Sequence, residues 1–231
     1  MLFRSASRQE ILKHLDDKTA AVIVQNPNFF GVIDDLSDII EQAHKVGALA
    51  LCSVYPVSLG LLKTPGAMGA DIVTGEGQSL GLPLNFGGPY LGFMATRKKH
   101  IRREKATSNI CTNVSLCAVQ SVIYMSMLGK EGLKELAQLN LDKAEFMRQQ
   151  LEKIKGVQVK RSSPTFNEFA IALPKDASVV VGEMIKKGFA AGFPLGRYYP
   201  GMERYLLVAV TEKRTKQEIM DYAKALQEVL G

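Results

Sequence analysis

Cysteine and long apolar runs are both scarce in this chain of 231 residues. The three cysteines, Cys52, Cys111 and Cys117, are odd in number and lack the spacing of a metal site. We therefore expect free thiols in a reducing cytoplasm and no bound metal. No apolar run approaches the length of a membrane span, and the first ten residues lack the apolar core of a secretory signal. With 46% hydrophobic and 23% charged residues, the composition is that of a globular protein of one or two domains.

Positive charge is concentrated in one segment, residues 97–105. This run holds six basic residues and one acidic residue, so the net charge of +6 leaves only about +1 for the remainder of the chain. A basic run can bind nucleic acid or phosphate. This run contains no aromatic residue and has no counterpart elsewhere in the chain, so we expect a solvated face and no nucleic-acid partner.

The first third of the chain alternates strand and helix patterns. Ser7 and Glu10 form a capping-box pattern that opens a short helix. Residues 19–25 and 48–54 are β-rich apolar runs, and an amphipathic helix pattern ended by Gly47 lies between them. This order predicts a βαβ unit with a parallel sheet. We expect His44, on that helix, to be a surface residue rather than a catalytic one.

A glycine-rich stretch, residues 71–93, runs from one predicted strand into another at residues 90–96. Glycine permits the close approach of a ligand or of another backbone. Three polar side chains, Glu76, Gln78 and Asn85, lie among the six glycines. The stretch is either a binding loop or a tight connection in an α/β sheet, and the pattern leaves both open.

Hydroxyl and amide side chains are dense in residues 104–113, just before a long apolar helix at residues 115–128. Such groups at a helix start favour a phosphate site, but helix capping alone also selects them. We expect the apolar helix to be buried and to end at Gly129. The composition becomes charged and amphipathic after that glycine, so the predicted domains are residues 1–129 and 130–231.

The second predicted domain has an α+β pattern. A long amphipathic helix covers residues 130–155, and strands are expected at residues 157–161, 166–173 and 204–210. A helix is expected at residues 179–187. Thr215 and Glu218 form a second capping box that opens a final helix.

Eight phrases in the same order, spread over nearly the whole chain, resemble the P-protein family of the glycine cleavage system, glycine dehydrogenase (decarboxylating), and in particular its subunit 1. They are QNPNFFG (25–31), SLGLLK (58–63), GADIVTGEGQ (69–78), NFGGPYLGF (85–93), HIRREKATSNICTN (100–113), FNEF (166–169), GRYYP (196–200) and VAVTEKRTK (208–216).

This resemblance implies an α/β architecture of fold-type-I pyridoxal-phosphate (PLP) enzymes. A large-domain portion with a mostly parallel sheet is followed by a C-terminal α+β domain. The resemblance also implies a homologous subunit 2 that carries the PLP lysine. Together the two subunits decarboxylate glycine and pass its aminomethyl group to the lipoyl arm of the H-protein.

Two positions depart from a self-sufficient PLP enzyme. Gln78 stands where subunit 2 has its lysine, and an amide cannot form the imine that holds the cofactor. Tyr55 stands where a carboxylate is expected to pair with the pyridinium nitrogen. The resemblance therefore implies a chain that has no catalytic residue of its own and is inactive alone, with PLP held covalently by the partner.

The same resemblance assigns supporting roles to two sets of residues. The first set is aimed at the partner-held cofactor: Thr107, Ser108, Asn109 and Thr112. The second set is expected to contact the substrate or the shared interface: Glu76, Gln78, Asn85, Arg102, Asn113, Arg197 and Tyr198. The alternative is that these residues only cap helices and shape turns. For Asn167 and Glu168 both interpretations stay open.

The chain is also shorter than the family pattern. Only a short leader precedes the first strand, and a few dozen residues that the family carries between Arg97 and His100 are missing. The internal deletion brings two basic ends together, which accounts for the charge of residues 97–105. The second functional hypothesis is therefore a non-catalytic, truncated remnant or interaction subunit.

Overall fold

The structure, a computed structural model, describes residues 7–96 and 114–231 and forms two compact units. Within the described residues, the N-terminal unit comprises residues 7–26, 34–96 and 114–137. The C-terminal unit comprises Pro27–Ile33 and Gln138–Gly231. The predicted boundary at Gly129 stays a prediction. Gly129 breaks helix α4 (Ser115–Leu151) with φ 63° and ψ −171°, whereas the two units divide between Ala137 and Gln138.

The N-terminal unit contains a four-stranded sheet in the order β1-β2-β3-β4. The first three strands are parallel, and β4 runs antiparallel to β3. The strands are β1 Ala21–Asn26, β2 Leu49–Val54, β3 Ile72–Glu76 and β4 Gly92–Thr96. The predicted parallel βαβ unit is confirmed, because β1 and β2 pair in parallel with Val24 opposite Cys52 and are connected through α2 (Ser37–Lys45).

Two helices of the N-terminal unit begin at a side-chain cap. In α1 (Arg8–Lys13) the capping box is complete, since Glu10 N donates to Ser7 Oγ and Ser7 N donates to the Glu10 carboxylate. Thr64 caps a short helix that the pattern did not predict, α3 (Pro65–Met68). Helix α2 buries its apolar face against the sheet, and the resulting core contains Leu36, Ile39, Ile40, Ala50, Cys52, Met68 and Ala70.

The C-terminal unit has a four-stranded antiparallel sheet in the order β5-β6-β8-β7. Its elements are β5 Gln158–Val159, β6 Glu168–Ala172, α5 Ala177–Lys186, β7 Phe193–Pro194, β8 Tyr205–Ala209 and α6 Lys216–Leu230. The capping box of Thr215 and Glu218 opens α6 as predicted. Strand β7 has two residues and was not predicted, because so short a segment carries no apolar alternation.

The first part of α4 does not match the prediction of a buried helix. Its residues Leu116, Val119, Val122, Ile123 and Met127 are all exposed. Only the opposite side is covered: Ser121 is fully buried, and Tyr124 packs against Gly81. An apolar composition predicts burial of a helix but cannot say whether the chain itself supplies the cover. Among the described helices, none combines the length and hydropathy that a membrane span requires.

Candidate functional site

The loop of residues 77–91, which connects β3 to β4, is closed at its base by Glu76. One oxygen of the Glu76 carboxylate, Oε2, accepts a hydrogen bond from Gln78 N at 2.8 Å. The other, Oε1, accepts one from Leu91 N at 3.2 Å. Gly77 N donates to Leu91 O at 2.6 Å and ties the two arms together. Glu76 therefore organises the entry and the exit of the loop at the same time.

Gln78 and Asn85 also bond within this loop. Gln78 Nε2 donates to Leu82 O at 3.2 Å, and Leu82 N donates back to Gln78 O at 3.1 Å. Asn85 Nδ2 donates to Pro89 O at 2.7 Å, while Gly88 N donates to Asn85 O at 2.9 Å. The structure thus brings Glu76, Gln78 and Asn85 together in one loop. Their hydrogen bonds are those of a tight connection.

Two glycines of this region are required by the protein's own aromatic side chains. A Cβ at Gly75 would lie 2.3 Å from the Phe93 ring. Gly81 has φ +87°, and a Cβ there would lie 2.5 Å from Cγ of Tyr124. The close approach that glycine allows at these two positions therefore serves internal packing.

Helix α4 holds the loop at two points. Gln120 Nε2 donates to Gly81 O at 2.8 Å, and Cys117 Sγ lies 3.9 Å from Pro89 O. The segment between these anchors carries Leu84 and Phe86, which are both exposed. Phe86 has φ +45°, a left-handed conformation that is uncommon for a bulky residue. The loop therefore presents an apolar tip in a strained conformation.

The carboxyl end of β2 leads to Tyr55. Its carbonyl oxygen accepts hydrogen bonds from Ser58 N at 3.1 Å and from Ser58 Oγ at 2.7 Å, which fixes a 3-10 helix at Pro56–Gly60. A phenol at this position cannot supply the negative charge that a PLP pyridinium nitrogen needs.

The residue at position 78 does not fit a covalently held PLP. The Gln78 amide forms no imine, and it is already hydrogen-bonded to Leu82. Lys63 offers no substitute, since its Nζ donates to Ser37 Oγ at 2.9 Å and lies 3.6 Å from Asp35. Neither of these two described side chains therefore offers a free amine to the cofactor beyond the end of β3.

A histidine–aspartate contact that the sequence did not indicate lies at the start of β3. His44 Nε2 is 2.7 Å from Asp71 Oδ2, and the same oxygen accepts a hydrogen bond from Ala50 N at 3.0 Å. The Asp71 side chain is 3% exposed, whereas that of His44 is 37% exposed. His44 thus reaches the surface as expected, and its ring also contacts a buried carboxylate. The acid just before β3 was the signal, because a buried carboxylate needs a hydrogen-bond partner.

Arg197 and Tyr198 belong to the C-terminal unit. Arg197 ends a short 3-10 helix, Leu195–Arg197, and its guanidinium lies 5.6 Å from the Tyr198 ring. Tyr198 stacks on Phe193 with ring centroids 5.7 Å apart. Tyr198 is therefore part of an aromatic group whose other members are Phe29, Phe30, Phe193 and Tyr199.

Asn167 and Glu168 lie at the start of β6. Asn167 is buried, and its carbonyl oxygen accepts a hydrogen bond from Val210 N at 2.9 Å. Burial raises the pKa of the Glu168 carboxyl above its usual value. Glu168 also contributes to the wall of a cavity of about 620 Å³ in the C-terminal unit, with Phe193 and Tyr222.

Six of the predicted site residues lie outside the described part of the chain: Arg102, Thr107, Ser108, Asn109, Thr112 and Asn113. Their roles stay predictions. Within residues 7–96 and 114–231, no group of three or more His, Cys, Asp or Glu side chains is placed to hold a metal ion. Burial raises the pKa of the Cys52 thiol to about 11, so this cysteine is an inert core residue.

The family model and the curated relatives that match this chain all describe the same kind of protein. The family model described as glycine cleavage system P-protein matches residues 4–99 and 94–226. A probable glycine dehydrogenase (decarboxylating) subunit 1 from Geotalea uraniireducens is 53% identical over 97% of this chain and 58% of that protein. The protein of the same name from Citrifermentans bemidjiense is 48% identical over 96% of this chain and 57% of that protein. The chain thus spans somewhat over half the length of these curated relatives.

Two solved structures have a fold similar to that of this chain. A glycine decarboxylase (P-protein) of the glycine cleavage system, in inhibitor-bound form, has a TM-score of 0.85 and 40% identity, covering 94% of this chain and 56% of that one. A NifS-like protein from Rickettsia africae has a TM-score of 0.74 at 15% identity, covering 96% of this chain and 64% of that one, and shows the fold alone. The predicted fold-type-I architecture is confirmed by these likenesses.

Two features of the matches agree with the predicted internal deletion. The alignment with the Geotalea uraniireducens protein extends over 256 positions, more than the 231 residues of this chain. The family model matches in two blocks that meet at residues 94–99. This is the place where the sequence indicated an internal deletion.

Proposed function

Because this chain belongs to the glycine cleavage system P-protein family, we propose that it is a non-lysine subunit of glycine decarboxylase that completes a PLP site on a homologous partner. The observation that carries this proposal is Gln78. It stands at the end of β3 in place of the lysine, with its amide bonded to Leu82 O. A chain that keeps this loop but lacks the amine needs a second chain to supply it.

PLP bound to the partner supplies an electron sink for the decarboxylation of glycine. This chain's own contribution is to shape and close the site. Glu76 holds the base of the 77–91 loop through its two carboxylate oxygens, and Asn85 fixes its distal turn. A loop fixed in this way can exclude water from a neighbouring site without paying the cost of ordering on assembly.

The remaining assignments follow from the family resemblance. We assign hydrogen-bond donation to the partner-held phosphate to Thr107, Ser108, Asn109 and Thr112, and a contact with the substrate or the interface to Asn113. Arg102 is assigned a carboxylate or phosphate contact, because its guanidinium can bind such groups in a bidentate manner. Arg197 and Tyr198 are assigned to the substrate side or the interface. The aminomethyl group then passes to the lipoyl arm of the H-protein.

A second candidate is a non-catalytic remnant or interaction subunit. The predicted internal deletion between Arg97 and His100 favours it, because such a deletion removes family residues close to the 77–91 loop in sequence. The two candidates differ in whether the chain adds activity to a lysine-bearing subunit.

Glycine–bicarbonate exchange with PLP and H-protein separates the two candidates. Three samples are needed: this chain, a lysine-bearing subunit 2, and their mixture. Under our proposal only the mixture exchanges label. If the mixture is no more active than subunit 2 alone while the two chains still associate, the interaction-subunit hypothesis replaces it.

A further inference from the structure

The cavity of about 620 Å³ in the C-terminal unit has the size and the walls of a small-molecule site. Such sites are clefts of about 300–1,000 Å³ whose walls are mostly apolar and carry a few polar groups. Residues 188–193, strand β8 and the first turns of α6 contribute to its walls. The aromatic side chains among them are Phe189, Phe193 and Tyr222. No step of the proposed function uses this cavity.

Contacts within the C-terminal unit hold the aromatic walls in place. Tyr222 Oη donates a hydrogen bond to Ala191 O at 2.7 Å. The Tyr222 ring meets the Phe189 ring edge to face, with centroids 5.8 Å apart, and Phe193 stacks on Tyr198. A ligand therefore finds these rings already ordered and does not bear the entropic cost of fixing them. The face of an aromatic ring also attracts a cation.

The carboxylate of Glu168, at the start of β6, gives the cavity a negative charge that the protein does not compensate. Desolvation is the cause of its raised pKa, and among the residues that the structure describes its carboxylate has no hydrogen-bond or ion-pair partner. The other two charged side chains of the wall, Arg214 and Glu218, pair with each other at 3.4 Å. An unpaired, half-buried carboxylate destabilises a fold, and proteins break such rules chiefly at functional sites.

The turn at residues 27–33, which contains most of the QNPNFFG phrase, packs behind Glu168. Asn28 Oδ1 accepts a hydrogen bond from Phe30 N at 2.9 Å and fixes the turn. Gly31 has φ +75°, and a Cβ there would lie 2.0 Å from the carbonyl oxygen of Glu168 and 2.9 Å from its Cβ. This close approach leaves no room for water on that side of Glu168, which accounts for its desolvation and leaves the cavity as the side from which a partner can reach it.

We propose that this cavity binds a small organic cation, in which an ammonium group on an apolar body pairs with Glu168. The apolar body then packs among the aromatic rings of the wall. A charge-assisted hydrogen bond from the ammonium gives the carboxylate the partner that the fold does not supply. An anion would be repelled by the same carboxylate, and a neutral apolar molecule would leave it unpaired. This inference goes beyond the proposed function and does not depend on it.

Three probes that share one scaffold and differ in charge test the proposal: phenethylamine, 2-phenylethanol and 3-phenylpropanoate. Ligand-observed NMR titrations measure the dissociation constant of each probe for the full chain and for three variants. Glu168→Gln removes the charge and keeps the shape. Ala209→Phe fills the cavity beside the carboxylate, because Ala209 is an exposed wall residue that lies directly opposite Glu168 across β6 and β8. The control, Glu183→Gln, removes an exposed carboxylate of α5 that is not part of the wall.

We expect phenethylamine to bind at least about tenfold more tightly than 2-phenylethanol, and 3-phenylpropanoate to bind more weakly than either. In Glu168→Gln the preference for the amine should disappear while the alcohol still binds. Ala209→Phe should bind none of the probes, and Glu183→Gln should bind them as the wild type does. Circular dichroism establishes that each variant is folded, and if Glu168→Gln is not, Ala209→Phe decides.

Three results would overturn the proposal. The first is equal binding of the amine and the alcohol, or no saturable binding of either, by the wild type. The second is a preference for the amine that survives Glu168→Gln, which would place the ammonium elsewhere. The third is undiminished binding by Ala209→Phe, which would place the probe outside this cavity.

Discussion

The packing of the glycine-rich loop against α4 can be tested by adding a single methyl group at either of two glycines. Gly81 and Gly87 both lie in residues 77–91 with similar left-handed φ values, +87° and +96°. At Gly81 the new Cβ would lie 2.5–2.8 Å from Cγ, Cβ and Cδ2 of Tyr124. At Gly87 no atom lies within 4 Å. The two alanine variants therefore share the backbone strain and differ in the steric clash.

The magnitudes follow from these distances. Alanine at φ > 0 costs about 1 kcal/mol in the free energy of unfolding, and this applies to both variants. Overpacking adds about 1–3 kcal/mol at Gly81, since the clashing atoms are at the root of the Tyr124 side chain and cannot rotate away. For a chain of this size 1 kcal/mol corresponds to about 2–4 °C in melting temperature. We expect a loss of about 2–4 °C for Gly87→Ala and of about 4–16 °C for Gly81→Ala.

Thermal unfolding followed by circular dichroism at equal protein concentrations measures this difference. Equal losses for the two variants would refute the packing of Tyr124 on the loop. A Tyr124→Ala background gives the double-mutant cycle, in which the excess cost of Gly81→Ala should disappear.

Three further predictions concern ionisable side chains. Burial raises the pKa of Glu168, so a proton stabilises the fold there and stability falls as the pH rises above the unfolded value near 4.5. We expect Glu168→Gln to raise the melting temperature at pH 7.5 and to change it little at pH 3.5, and an equal effect at both would contradict this. Hydrogen bonds from Arg161 lower the pKa of Glu145, and this stabilisation is present above the unfolded value and lost as the pH falls through the lower folded one. Arg161→Ala should therefore destabilise the protein at pH 7 but not at pH 2.5, as urea titrations would show. Because burial raises the pKa of Cys52 to about 11, we expect iodoacetamide at pH 8 to leave it unlabelled until the protein unfolds, and rapid native labelling located by mass spectrometry would be inconsistent with its burial.

Local signals in the sequence were sufficient for much of the fold. The capping boxes at Ser7 and Thr215 position α1 and α6, because both partners of each box lie within four residues. The apolar runs at β1 and β2, separated by one amphipathic helix, specify a parallel pair. These features depend on neighbours in the chain, which a single sequence contains.

Features that depend on distant residues were not predictable in the same way. The pairing of His44 with Asp71 joins a helix to the start of a strand 27 residues later. The exposed face of α4 depends on what the N-terminal unit leaves uncovered, and composition alone indicated burial. The polar residues Glu76, Gln78 and Asn85 were predicted as site candidates. In the folded chain, their hydrogen bonds close their own loop.

The central claim is that this chain completes a PLP site without carrying the cofactor, and reduction of the assembled complex tests it most directly. The complex of this chain with lysine-bearing subunit 2 is loaded with PLP, treated with borohydride and digested, and the labelled peptides are identified by mass spectrometry. We predict the pyridoxyl label on a lysine of subunit 2 alone, with none on the peptide that contains Gln78. A label on a lysine of this chain, in stoichiometric amount, would contradict the account.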